Sequence, residues 1–159
     1  MLYDEEPVPE AEEVDDEEEM VMDFFKRWNE EMEVIIAGSE SDKEWCEKIE
    51  SCLEQQNIFS ETHFCSAHKN TQRALELMEE YEDQGRRLVY VTVAGMSNAL
   101  SGVTACNVDA PVIACPPFKD KMDMMVNINS TLQMPSKVPV MTILSPGNVA
   151  LAVARIFNL

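Results

Sequence analysis

From Glu33 onward, short unbroken apolar runs alternate with longer stretches in which apolar residues recur at helical spacing. Val34–Ala37, Leu88–Ala94 and Val112–Cys115 are too short for helices and rich in β-branched residues, so they predict strands buried on both faces. Thr62–Cys65 and Val140–Leu144 predict two more. Between them, Asp42–Gln56 places Trp45, Ile49, Cys52 and Leu53 on one stripe of a helix, with charges opposite. Thr71–Gln84 turns Ala74, Leu75, Met78 and Tyr81 inward, and Gly85 ends it where a left-handed residue is least costly. Ser97–Asn107 predicts a third helix, and Asn148–Phe157 a closing one with Val149, Ala152, Val153 and Ile156 on one side. Doubly buried strands alternating with helices imply a parallel sheet in a three-layer α/β/α sandwich.

The polar residues that interrupt this pattern fall at one edge of it. Gly38-Ser39-Glu40-Ser41-Asp42 follows the first strand, Ser66-Ala67-His68-Lys69 the second and Gly95-Met96-Ser97-Asn98 the third. Pro116-Pro117 follows the fourth and Ser145-Pro146-Gly147-Asn148 the fifth. All lie at carboxyl ends of strands, where open α/β sheets bind ligands. The first cluster offers hydroxyls, a carboxylate and backbone N–H groups at a helix start, a setting that suits a phosphate. Ser and Asp are also ordinary helix caps, so this cluster alone decides nothing; its recurrence after the later strands points to a ligand cleft.

Charge divides the chain in two. Residues 1–31 hold 14 acidic residues against only Lys26 and Arg27, whereas the formal net charge of all 159 residues is −18. A segment so acidic and poor in large apolar residues cannot bury enough surface to offset its ordering entropy. We therefore expect residues 1–31 to be an acidic leader, disordered through Glu19, with Met20–Glu31 carrying short-helix spacing, and residues 32–159 to be the folded domain. The net charge argues against nucleic acid binding, which needs a basic footprint. No apolar run approaches the roughly 20 residues that span a bilayer, and no signal peptide is visible. Five cysteines in apolar segments, with no C-x-x-C pair, read as buried reduced thiols and a cytoplasmic protein.

Taken together, Gly38–Asp42, Ser66–Lys69, Ala94–Gly102, Ala110–Pro117 and Leu132-Gln133-Met134-Pro135 resemble the phosphoribosylaminoimidazole carboxylase family of purine biosynthesis. The resemblance runs from about Val34 to Phe157. Class I members, which are mutases, carry Arg after the His and a G-G-A-A-H-L-P-G loop. Lys69 and Ser97-Asn98-Ala99-Leu100-Ser101 are similar to class II, which uses carbon dioxide. Met96 stands where class II sequences usually carry Arg. The resemblance implies a parallel, flavodoxin-like sheet of about five strands and a site for aminoimidazole ribonucleotide. Ser39, Ser41, Ser66 and Lys69 would hold its phosphate, and Asp42 its ribose hydroxyls. His68 would move the ring proton, since an imidazole gives and takes protons near neutral pH. Gly95, Ser97 and Asn98 would hold carbon dioxide or the new carboxylate. No metal, biotin or nucleotide cofactor is expected. The family also implies a homo-oligomer, an octamer in its usual form.

Two other readings stay open on the residues alone. One is a related carboxylase or mutase on another heterocycle, either class I or a nickel-pincer-type carboxylase sharing an A-G-M-x-x-A-L loop with Gly95-Met96 and Ala99-Leu100. The other is a catalytically silent binding or scaffold subunit. His63 lies five residues before His68 and, by strand alternation, on the opposite face, so the two are not a metal pair. Met122, Met124, Met125 and Met134 read as adaptable packing or subunit contacts.

Overall fold

Five strands pair in parallel in the order β2-β1-β3-β4-β5. They are β1 (Glu31–Ala37), β2 (Ser60–Phe64), β3 (Arg87–Val93), β4 (Val112–Ala114) and β5 (Met141–Thr142). The helices are α1 (Lys43–Glu54), α2 (Thr71–Glu82), α3 (Leu100–Asn107), α4 (Lys121–Leu132) and α5 (Pro146–Phe157). The computed structural model describes residues 21–22 and 30–158. The expected disorder of the leader and a helix over Met20–Glu31 lie outside the described residues, apart from Val21, Met22 and Glu30, which are helical and exposed, and Glu31, which opens β1 instead of ending the leader. Among the described residues, no helix is long and apolar enough to cross a membrane.

The apolar runs form the central strands because both their faces are covered. On one face Ile35, Ala37, Val89, Val91, Val93 and Ile113 pack against Cys46, Ile49 and Leu53 of α1 and Val149, Val153 and Phe157 of α5. On the other, Val34, Ile36, Leu88, Tyr90 and Val112 meet Ala74, Leu77, Met78 and Tyr81 of α2 and Leu100 of α3. This is the expected three-layer sandwich with a flavodoxin-like strand order. In α2 it is Leu77, not Leu75, that is fully buried. The thiols of Cys46, Cys65 and Cys115 are buried, Cys52 is half-buried and Cys106 is exposed, all unpaired.

Three expectations differ from the structure. The helix foreseen from Ser97 begins only at Leu100, because the preceding residues are held as a loop by contacts described below. The fifth strand spans two residues rather than five. The sequence reading also placed no element between β4 and β5, yet a parallel pair needs a crossover of a dozen or more residues, usually a helix. That crossover is α4, whose start is marked by Asp120, a side-chain acceptor for the N–H groups of Met122 and Asp123.

One core residue works against stability. Glu33 on β1 is fully buried, and neither carboxylate oxygen finds a hydrogen-bond partner among the described residues. Burial holds its carboxyl well above the usual range. Below the unfolded carboxyl's pKa, about 4.3, both states are protonated and no ionic penalty arises. As pH rises from there through the raised folded value, only the unfolded state releases the proton easily, so stability is lost. Glu33→Met, of similar length, is expected to stabilise the protein at pH 8 by about 1–3 kcal/mol, the cost of an unsatisfied buried group. Urea unfolding across pH should show this advantage shrinking toward pH 4. A variant less stable than wild type at pH 8 would mean that the carboxylate is paired in solution.

Candidate active site

The chain leaves β1, β2 and β3 at one edge of the sheet, and their loops converge between the strands where the strand order reverses. Gly38 donates its N–H to Val93 (2.9 Å) and Cys65 donates to Ala37 (2.8 Å), so the three strand ends are tied together at that point. Around them lies a cleft of about 250 Å³ lined by residues that include Ser39, Ser41, Asp42, Ser66, His68, Lys69, Gly95 and Ser97. Eight of the nine expected site residues thus come together at a topological switch point. Two larger open grooves, of about 390 and 400 Å³, are predominantly apolar; the first adjoins the cleft at Ala99 and has Asn98, Ser130 and Gln133 in its lining, and the second lies apart.

Two hydroxyls of the cleft, those of Ser39 and Ser66, keep a proton to donate. Ser39 caps the 3-10 turn Glu40–Asp42, its Oγ accepting from the Ser41 N–H (3.2 Å) and the Ser41 hydroxyl (2.9 Å). With its lone pairs so engaged, the Ser39 proton is left to donate outward. Ser66 Oγ accepts one bond, from the Lys69 N–H (3.3 Å), and its proton makes no hydrogen bond to the described residues. Both serines are therefore suited to an acceptor-rich anion, close to the start of α1.

Asp42 stands immediately before α1 but makes no side-chain capping bond there; the capping is done by Ser39. Among the described residues its carboxylate accepts only from the Ser41 hydroxyl, at 3.5 Å. Burial raises its carboxyl pKa, and the Ser41 contact pulls it partly back. A carboxylate that is partly desolvated and short of donors is suited to accept from ligand hydroxyls. His68 and Lys69 are exposed on the turn after β2, closed by the Asn70 N–H to Ser66 C=O bond of 2.9 Å.

Asn98 is placed differently from the expectation. Its side chain is buried, its amide donating to Ser101 Oγ (2.6 Å) and Thr131 Oγ1 (3.1 Å) and its Oδ1 accepting from the Ser101 N–H (3.2 Å). Its own N–H donates to Ser130 Oγ (3.3 Å). It anchors the loop from below and is not among the residues lining the cleft. The Met96 N–H is likewise spent, on Asn127 Oδ1 (2.8 Å). Of the loop's expected donors, the N–H groups of Gly95 and Ser97 and the Ser97 hydroxyl make no hydrogen bond to the described residues. The turns at Pro116-Pro117 and Ser145–Asn148 do not line the cleft either.

Asn127, Ser130 and Thr131, which hold this loop, were missed because α4 was missed; Asp120 capping a crossover segment was the available signal. His63 lies outside the cleft, its Nε2 2.6 Å from the Tyr81 hydroxyl, which donates to Glu61. Its role is structural, with burial lowering its pKa and Glu61 opposing that shift.

Known proteins resemble this chain in sequence and in fold. A phosphoribosylaminoimidazole carboxylase of Archaeoglobus fulgidus is 45% identical over 135 residues, covering 85% of this chain and 73% of the relative. One from Treponema denticola is 41% identical over 126 residues, 79% of each. A human bifunctional phosphoribosylaminoimidazole carboxylase/succinocarboxamide synthetase is 39% identical over 126 residues, which are 29% of its length. The crystal structure of Treponema denticola PurE superposes with a TM-score of 0.76 at 39% identity, covering 80% of both chains. The family profile described as AIR carboxylase matches residues 33–159, and the chain belongs to that family.

Proposed function

We propose that this chain carboxylates 5-aminoimidazole ribonucleotide with carbon dioxide to give 4-carboxy-5-aminoimidazole ribonucleotide in purine biosynthesis, without ATP. What carries the reading is the cleft itself: in a chain of the AIR carboxylase family, the three motif loops meet around one space. The outward-donating hydroxyls of Ser39 and Ser66, with Ser41 and the point charge of Lys69, receive the phosphate. Asp42 accepts from the ribose hydroxyls. The electron-rich ring carbon attacks carbon dioxide, forming the C–C bond as one C=O π pair moves to oxygen. His68 then takes the proton from that ring carbon, which restores the aromatic ring. The Gly95 and Ser97 N–H groups and the Ser97 hydroxyl stabilise the new carboxylate. Asn98 supports this loop from below rather than touching substrate. No metal, biotin or nucleotide cofactor enters these steps.

The Ser66–Lys69 turn favours this reaction over a class I mutase or a nickel-pincer-type carboxylase; Met96, which lines the cleft where class II sequences usually carry Arg, is the feature on which a silent scaffold would rest. Incubation with the ribonucleotide and bicarbonate in the absence of ATP is expected to yield the carboxylated product. No product from folded protein at saturating substrate would reject the reading.

The chain is further proposed to act in the cytoplasm as a homo-oligomer, the family's octamer being the reference form. Supporting the assembly, Met122, Met125 and Val126 of α4 are exposed at spacings of three and four residues, an apolar stripe of the kind that subunit contacts cover. Light scattering at micromolar concentration should report a mass of several chains; a monomer would count against both assembly and activity.

A further inference from the structure

We infer that Asn127 is a positioning residue for carboxylation, a two-ended clip that joins the loop after β3 to the loop after β4 and sets the geometry of Gly95 and Ser97. This rests on the proposed carboxylase reading and adds a role that the cleft's own lining does not reveal.

Asn127 is buried on the inner side of α4, with 4% of its surface exposed. Its Oδ1 accepts the Met96 N–H at 2.8 Å. Its Nδ2 donates to the Pro117 carbonyl at 2.8 Å, with Asp123 Oδ1 more distant at 3.4 Å. Both ends of one short, rigid amide are thus used, and each end holds a different loop. One turn further along α4, Ser130 Oγ donates to the Met96 carbonyl at 2.7 Å and accepts the Asn98 N–H at 3.3 Å. α4 therefore grips Met96 by its N–H and its carbonyl.

The grip has a conformational purpose. Met96 has φ of 59°, the left-handed region that a residue with a Cβ seldom occupies unaided. Its side chain is 81% exposed, so packing does not hold it there. The two backbone bonds to α4 do. Reversal of the chain at Met96 places Gly95 and Ser97 on the cleft, while the Met96 and Asn98 N–H groups turn to α4. Gly95 fits the same clip: a Cβ there would stand 3.4 Å from Asn127 Nδ2 and 3.7 Å from Pro117 Cγ. Phosphate and ribose contacts lie on the loops after β1 and β2, which Asn127 does not touch. Its effect should therefore fall on the carboxylation step and not on ribonucleotide capture.

Asn127→Leu preserves size and removes both hydrogen bonds. The turnover of ribonucleotide should fall about 100-fold, the scale of a displacement of about 1 Å in a reacting group. Ribonucleotide affinity by calorimetry should be unchanged, and deuterium exchange at the Met96 amide should accelerate. Asn127→Asp keeps the acceptor for Met96 and loses the donor to Pro117. Its deficit relative to wild type should be smaller and should narrow as pH falls, because a protonated carboxyl regains a donor. Met96→Gly, which favours the left-handed turn intrinsically, should restore part of the turnover lost in Asn127→Leu. Turnover near wild type in folded Asn127→Leu would overturn the inference, as would parallel losses of turnover, affinity and melting temperature. Should the Leu variant not fold, a pH-independent deficit or full activity in Asn127→Asp would overturn it equally. Wild-type protein that captures ribonucleotide but makes no product would instead remove the carboxylase reading, and Met96 exchange would still report whether Asn127 holds the loop.

Discussion

Replacing His68 by Asn is expected to lower the turnover of aminoimidazole ribonucleotide by about 10²–10⁴-fold, the usual contribution of a positioned acid–base group. Asn keeps most of the size and a hydrogen-bonding edge but cannot carry a proton. The other ionisable groups of the cleft are poor substitutes. In the proposed complex Lys69 is engaged by the phosphate and Asp42 by the ribose hydroxyls. Ribonucleotide affinity should change little, since the proposed phosphate and ribose contacts lie on Ser39, Ser41, Asp42 and Ser66, none of which hydrogen-bonds to the His68 side chain. Stability should also be retained, because His68 is exposed and its side chain makes no hydrogen bond to the described residues. The measurement is single-turnover carboxylation alongside calorimetric titration. Near-wild-type carboxylation by folded His68→Asn would remove His68 from the mechanism, and a loss of both affinity and turnover would make it a binding residue.

How far the sequence alone could reach is seen in the contrast between β1 and α4. Val34–Ile36 announce a strand through an unbroken apolar run, and both faces of that run are buried. The parallel sheet followed from that pattern and its flavodoxin-like form from the family resemblance; of the five polar turns expected at the cleft, those after β1, β2 and β3 line it. In α4 the pattern fails for a physical reason. Only Asn127 and Thr131 are buried along the helix, whereas Met122, Met125 and Val126 are exposed. Its inward face is polar and its outward face apolar, the inverse of what hydropathy periodicity detects. The loop after β3 was misjudged for a related reason. Ser97-Asn98-Ala99 runs into the helix at Leu100 without a Gly or Pro to mark the boundary, but Asn127, Ser130 and Thr131 hold it out of the helix through contacts more than 30 residues away in sequence. Asn98 shows the limit of motif reading most plainly: it belongs to the motif, and its side chain serves the Ser101–Thr131 network.

Asp42→Ala should weaken ribonucleotide binding by about 2–4 kcal/mol, roughly 30- to 900-fold, if two charge-assisted hydrogen bonds worth about 1.5–3 kcal/mol each are lost and water restores part of them. The competing explanation, that Asp42 merely starts α1, makes a different prediction, and the geometry separates the two. A side-chain cap is worth about 1 kcal/mol, yet Asp42 makes no capping bond, and Ser39 supplies the one cap of this turn. The variant should therefore fold with stability close to wild type while losing its ligand. A pH test sharpens the assignment. Burial raises the Asp42 carboxyl pKa in the free protein, whereas hydroxyls donating to it in the complex favour the ionised form and draw the pKa down. Binding then expels a proton whenever the free carboxyl is protonated, so wild-type affinity should fall as pH drops through the raised Asp42 value. Asp42→Asn cannot titrate and should lack that dependence, and the phosphate's own titration cancels in the ratio of the two proteins. Unchanged affinity in Asp42→Ala, or parallel pH profiles for wild type and Asp42→Asn, would take the ribose contact away from Asp42.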